Sequence, residues 1–120
     1  MQPKPLAGRL VLVVEDELLI SLDIQQALRG AGATVVSAGY VDAALYVTEQ
    51  AELSAAVIDL RLGEGDGVSV CQRLQHLGIP FVVHTGYSAE DVRQRFPNAP
   101  VIRKPARPEL LITALMSVLD

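Results

Sequence analysis

Short apolar runs closed by polar residues alternate along this chain with segments whose apolar positions recur every three or four residues. Leu10 to Val14 is a continuous, valine-rich run, the pattern of a strand covered on both faces. From Leu18 to Ala31, Ile20, Ile24, Ala27, Leu28 and Ala31 fall at helical spacing, and Gly32 supplies a stop. Ala33 to Ala38 reads as a second, more mixed strand, nearer an edge. After Gly39, Asp42 is placed to cap a helix carrying Ala44, Leu45 and Val47 and running to about Ala51. The apolar run Ala55-Ala56-Val57-Ile58 then ends at Asp59.

The second half repeats the alternation. Gly63, Gly65 and Gly67 mark a mobile or tightly turned loop, followed by a helix with Val68, Cys71, Leu74 and Leu77 that ends at Gly78. Ile79-Pro80 opens a fourth strand through Phe81 to His84, ending before Thr85. Ser88 is a candidate cap for a short fourth helix ending near Phe96-Pro97. Pro100 to Arg103 is the fifth strand, and Pro108 starts a fifth helix through Glu109 to Leu119. Strand and helix thus alternate five times, which predicts an α/β three-layer sandwich: a parallel sheet with right-handed crossover helices on both faces.

Composition narrows the function. The 120 residues suit one domain, which the pattern places at 9–120 behind a flexible tail at 1–8. A net charge of −4 without a Lys/Arg cluster argues against a nucleic-acid surface. No apolar run approaches the ~20 residues of a membrane span, and Met1 to Leu6 lacks the apolar core of a signal peptide. Cys71 is the single cysteine, so neither an internal disulfide nor a zinc site is expected, and a cytoplasmic location fits.

The candidate chemistry lies at the strand ends. In parallel sheets of this kind the binding site sits beyond the carboxyl ends of the strands, at the switch in strand order. Glu15, Asp16, Asp59, Thr85 and Lys104 all follow strand ends. Carboxylates gathered in a small volume must share protons or bind a cation. Mg²⁺ suits them, taking one or two carboxylates with water and phosphate oxygens. Asp16 and Asp59 can supply carboxylates, the Arg61 carbonyl another oxygen, and Glu15 a direct or water-mediated ligand. A carboxylate beside Mg²⁺ can attack phosphorus, and such transfer needs positioning and charge neutralisation above all. Asp59 is the candidate nucleophile, with the Lys104 ammonium and the Thr85 hydroxyl on the phosphoryl oxygens.

These residues carry a resemblance. Val14-Glu15-Asp16-Glu17 after strand one, Asp59 after strand three, Asp66-Gly67, Thr85 after strand four and Lys104-Pro105 after strand five resemble the receiver domains of two-component response regulators, from Leu10 to Leu119. The resemblance implies a flavodoxin-like (CheY-like) fold with strand order 2-1-3-4-5. It also implies Mg²⁺-dependent phosphorylation of Asp59 by the phosphohistidine of a histidine kinase or phosphotransfer protein, and a cis peptide before Pro105. Signalling would follow through a changed surface read by a downstream protein, with no output domain in this chain.

Some positions depart from that family. Val101 stands where receivers usually have an aromatic residue, which puts ordinary threonine-aromatic switching in doubt. Phe81 to Tyr87 is similar to the Phe-Ala-Thr-Gly-Tyr type found as stand-alone receivers, with His84 replacing a small residue and packing away from the site. Leu62-Gly63 replaces the common Met-Pro and suggests a looser loop. Tyr87 is placed to overhang the phosphoryl pocket, with Gly86 and Pro105 as further modulating positions, while Asp66 and Gly67 read as a turn and cap without chemistry. Leu110, Ala114 and Val118 widen the apolar surface of the fifth helix into a candidate dimer face. The rival readings are a haloacid dehalogenase-type hydrolase, opposed by Arg61 in the place of its second acid, and a receiver-like module that is never phosphorylated.

Overall fold

The computed structural model describes residues 4–62, 65–86 and 90–119. The strands are β1 (Leu10–Val14), β2 (Thr34–Ala38), β3 (Ala55–Ile58), β4 (Arg61–Leu62), β5 (Gly65–Asp66), β6 (Phe81–Thr85) and β7 (Val101–Arg103). The helices are α1 (Leu18–Gly30), α2 (Val41–Gln50), α3 (Val68–His76), α4 (Glu90–Arg95) and α5 (Pro108–Val118). Five strands form one parallel sheet in the order β2-β1-β3-β6-β7. Counting only those five along the chain, this is the flavodoxin-like order 2-1-3-4-5; the pair β4 and β5 only shifts the numbering.

Alternation along the strands divides the apolar residues between the two faces of the sheet. Val11, Val13, Ala55, Val57 and Val82 pack with Ile24 and Leu28 of α1 and Leu111 and Leu115 of α5. Leu12, Val14, Ala56, Ile58, Phe81 and Val83 pack with Ala44 of α2, Val70 and Leu74 of α3, and Val92 of α4. The central strands are buried along nearly their whole length, which is why they read as continuous apolar runs rather than alternating ones.

Four expectations need correction. The segment expected as a flexible tail is built into the fold from residue 4 onward: residues 5–8 form a turn, Leu6 is fully buried, and its N–H donates to Ala31 O at 2.8 Å. Gly32 makes room for it, since its φ of +102° favours glycine and a Cβ there would meet Lys4 Cβ at 2.9 Å. The segment after Asp59 is not simply a loose loop, because β4 and β5 pair antiparallel, Arg61 with Asp66 and Leu62 with Gly65. Asp42 lies inside the first turn of α2, where its charge suits the helix dipole, and Tyr40 is the N-cap residue. On α5, Ala114 is buried, so only Leu110 of the expected stripe is well exposed. Residues 1–3, Gly63, Tyr87 and Ser88 lie outside the described residues, so the expectations placed on them do too.

Candidate functional site

The sheet brings its strand ends to one edge. Glu15 directly follows β1, Asp59 follows β3, Thr85 ends β6, and Lys104 follows β7. Backbone bonds hold the edge in register: Glu15 N–H donates to Ala38 O at 3.1 Å, Asp59 N–H to Val14 O at 2.9 Å, and Lys104 N–H to Thr85 O at 2.8 Å.

Glu15, Asp16 and Asp59 each present a carboxylate oxygen within 4.8 Å of the others. Asp16 is exposed, whereas Glu15 and Asp59 retain only 4% and 5% of their surface. The Lys104 ammonium donates to Glu15 Oε1 at 2.6 Å and to Asp59 Oδ2 at 3.2 Å. The second oxygen of each buried acid accepts a backbone N–H, Glu17 to Glu15 Oε2 at 3.1 Å and Arg61 to Asp59 Oδ1 at 3.2 Å. Both carboxylates are thus oriented from two sides. The Lys104-Pro105 peptide is cis.

Burial dominates the electrostatics of Glu15. It pushes the carboxyl up to about 7, outweighing the Lys104 hydrogen bond and the Glu17 N–H, while the charge of Asp59 raises it further. Burial alone would lower Lys104, but its hydrogen bond to Glu15 and the charge of Asp59 hold it above its ordinary value. This set of hard oxygen donors fits a divalent cation such as Mg²⁺. Both oxygens of Glu15 and both of Asp59 already accept hydrogen bonds, so a cation here would share those oxygens with their present donors, beside the exposed Asp16.

The structure therefore brings together Glu15, Asp16, Asp59 and Lys104, sets Arg61 against Asp59 through its backbone, and places Thr85 on the neighbouring strand end. Gly86 follows as an exposed bend. Sequence reasoning missed that Glu15 would be the nearest anion to Lys104, a contact across 89 positions of sequence that no local signal announces.

His84 faces the α1/α5 side, as strand alternation requires, and is buried there. It is 4% exposed, both ring nitrogens lack a hydrogen-bond partner, and it lines a cavity of about 430 Å³ with Ile20, Ile24, Lys104 and Pro105. Burial, with the charge of Lys104, lowers its pKa to about 4, so the ring is neutral. Cys71 is fully buried and its thiol is pushed up to about 12, mainly by burial, which makes it inert.

Comparison with known proteins points one way. The sequence profile of the response regulator receiver domain family matches residues 11–116. The transcriptional regulatory protein PdtaR of Mycobacterium tuberculosis is 31% identical over 93 residues, covering 76% of this chain and 45% of PdtaR. The chain thus spans less than half the length of that relative. Among solved structures, a response regulator receiver domain protein (CheY-like) from Methanospirillum hungatei superposes with a TM-score of 0.84 at 25% identity, covering 93% of this chain and 94% of that one. A response regulator protein from Burkholderia pseudomallei, with a phosphorylated aspartic acid, a calcium ion and citrate, gives a TM-score of 0.81 at 27% identity, covering 90% and 66%. Among the described residues, no helix is long and apolar enough to cross a membrane.

Proposed function

Since this chain belongs to the response regulator receiver domain family, we propose that Asp59 is its phosphoacceptor and that a phosphohistidine, on a histidine kinase or a phosphotransfer protein, is the donor. One observation carries this reading: the Asp59 carboxylate lies at the sheet edge with the Lys104 ammonium 3.2 Å from one oxygen and the Arg61 N–H 3.2 Å from the other.

An Asp59 oxygen attacks phosphorus, the new O–P bond forms as the donor's N–P bond breaks, and the imidazole nitrogen leaves with the electron pair. Lys104 neutralises charge on the phosphoryl oxygens, and the Thr85 hydroxyl, from the adjacent strand end, donates to another. Asp16, Asp59 and the Arg61 carbonyl, with Glu15 in support, would hold Mg²⁺, which when bound would supply further charge neutralisation for the transferred group. These residues act on their own phosphoryl group only. Once phosphorylated, Asp59 carries extra charge that competes with Glu15 for Lys104 and draws on Thr85. That competition biases the ends of β6 and β7 toward a second arrangement, which a downstream protein reads. A cytoplasmic setting, where such donors and Mg²⁺ are available, suits this role.

The hydrolase alternative loses its footing at Arg61, whose backbone orients Asp59 where that mechanism needs a second acid. Incubation with acetyl phosphate tests the proposal. A mass gain of one phosphoryl group that requires Mg²⁺ and is lost in Asp59→Asn supports it; no gain under any donor overturns it.

A further inference from the structure

Gly67 stands between β5 and the start of α3, and its backbone is ordinary. With φ −64° and ψ −14° it lies in the right-handed helical region open to every L residue. Conformational freedom is therefore not the reason for glycine here. The reason is space. A Cβ at Gly67 would lie 2.4 Å from the Asp59 carbonyl oxygen, 2.9 Å from Leu60 Cα and 3.2 Å from the Asp59 carbonyl carbon. All three are main-chain atoms, so no change of rotamer relieves the overlap.

The contact is reinforced on both sides. Gly67 N–H donates to Leu60 O at 2.8 Å, and Cys71 N–H donates to Gly67 O at 3.0 Å within α3. Just before it, Asp66 Oδ1 accepts Val68 N–H at 2.8 Å, and Ser69 Oγ donates to Asp66 O at 3.0 Å. The first turn of α3 is thus pinned onto this main chain, its close approach being to the Asp59-Leu60 peptide and its hydrogen bond to the carbonyl of the Leu60-Arg61 peptide. That same main chain leads into Arg61, whose N–H orients the Asp59 carboxylate and whose backbone pairs with Asp66.

We infer that Gly67 is a positioning residue for Asp59. Its bare Cα lets α3 abut the main chain behind the carboxylate and fixes where that carboxylate sits relative to Lys104 and the neighbouring acids. The inference rests on reading Asp59 as the phosphoacceptor. To admit even a methyl group, the Asp59-Leu60 peptide must retreat, taking with it the Asp59 side chain and the Arg61 carbonyl. The link also runs outward, since any displacement of Asp59's main chain is passed to α3 through a contact with no slack.

Gly67→Ala tests this with two readouts. In metal-free protein, nuclear magnetic resonance of the Arg61 amide and the Asp59 carboxyl carbon is expected to shift, while the amides of Val11, Leu28 and Leu115 in the opposite core stay at parental positions. With Mg²⁺ and acetyl phosphate, labelling of the same variant is expected to slow by roughly tenfold or more, as misplacement of a reacting group does. If Gly67→Ala does not fold, Asp66→Ala loosens the same clamp without adding an atom near Asp59. It is then expected to shift the Arg61 amide and slow labelling by a smaller factor. Parental Arg61 and Asp59 resonances in a folded variant overturn the inference. Because that readout needs neither metal nor phosphate, it separates failure of this inference from a parent protein that takes no phosphoryl group.

Discussion

Lys104 Nζ donates to Glu15 Oε1 at 2.6 Å, tying the residue after β7 to the residue after β1 across two intervening strands of the sheet. The pairing sits beside Asp59, so the lysine that the proposed function assigns to the phosphoryl oxygens is held in place by an acid that need not itself react. Lys104→Met leaves two buried carboxylates facing each other. Because the lysine side chain keeps 20% exposure, the expected loss in metal-free protein at pH 8 is about 1–3 kcal/mol, the range for a buried group left without its partner. Urea unfolding in the presence of a chelator measures it, and an unchanged midpoint contradicts the assignment.

Glu15 sets an unusual pH dependence. Below its ordinary value of 4.5, folded and unfolded forms both hold the proton; as pH rises toward about 7, only the unfolded form releases it. The unfolded chain then binds fewer protons, so this group's contribution to stability falls across that window and levels off above it. Glu15→Gln is expected to remove the fall. Melting temperatures from pH 4.5 to 8 without metal show it as a flatter profile, and a profile parallel to the parent's would refute the burial argument.

His84 acts in the opposite sense. Its folded value of about 4 lies below the ordinary 6.5, so as pH drops through that interval the unfolded form gains a proton that the folded form does not, and stability falls. His84→Leu removes both this loss and two unpartnered buried nitrogens. It is expected to stabilise the protein at pH 7 by about 1–2 kcal/mol while leaving Asp59 labelling unchanged. A lower melting temperature would mean that the ring has a partner in solution.

The buried Cys71 thiol provides a check on the α3 side of the core. In native protein it is expected to resist alkylation by iodoacetamide at pH 8, and to react once the chain is unfolded in denaturant. Rapid native labelling would show that this side of the core opens.

The fold was legible because burial writes itself into composition. Leu10 to Val14 and Ala55 to Ile58 are covered on both faces, so their apolar runs are unbroken and their ends are sharp. The cluster at the sheet edge was legible for a related reason: Glu15 and Asp59 are the polar residues that end those runs, and Lys104 follows the shorter strand β7 at the same edge. The turn at 5–8 was less visible, since only Leu6 in a proline-flanked stretch signals burial, and the space that receives it is made by Gly32. The β4/β5 pairing escaped because two-residue strands have no period to read. Gly67 looked like a turn residue, and its close approach to Asp59 exists only once α3 is folded against β3. Ala114 was placed on the outer stripe of α5 by spacing, yet it is buried in the core that α5 shares with Ile24 and Leu28 of α1.

The account depends most on Asp59 being the atom donor to phosphorus. Borohydride trapping after treatment with acetyl phosphate and Mg²⁺, followed by peptide mass spectrometry, tests this directly. A reduced residue at position 59, absent when metal is chelated, is the expected result. Modification at Asp16, at Glu15 or at no residue would contradict it.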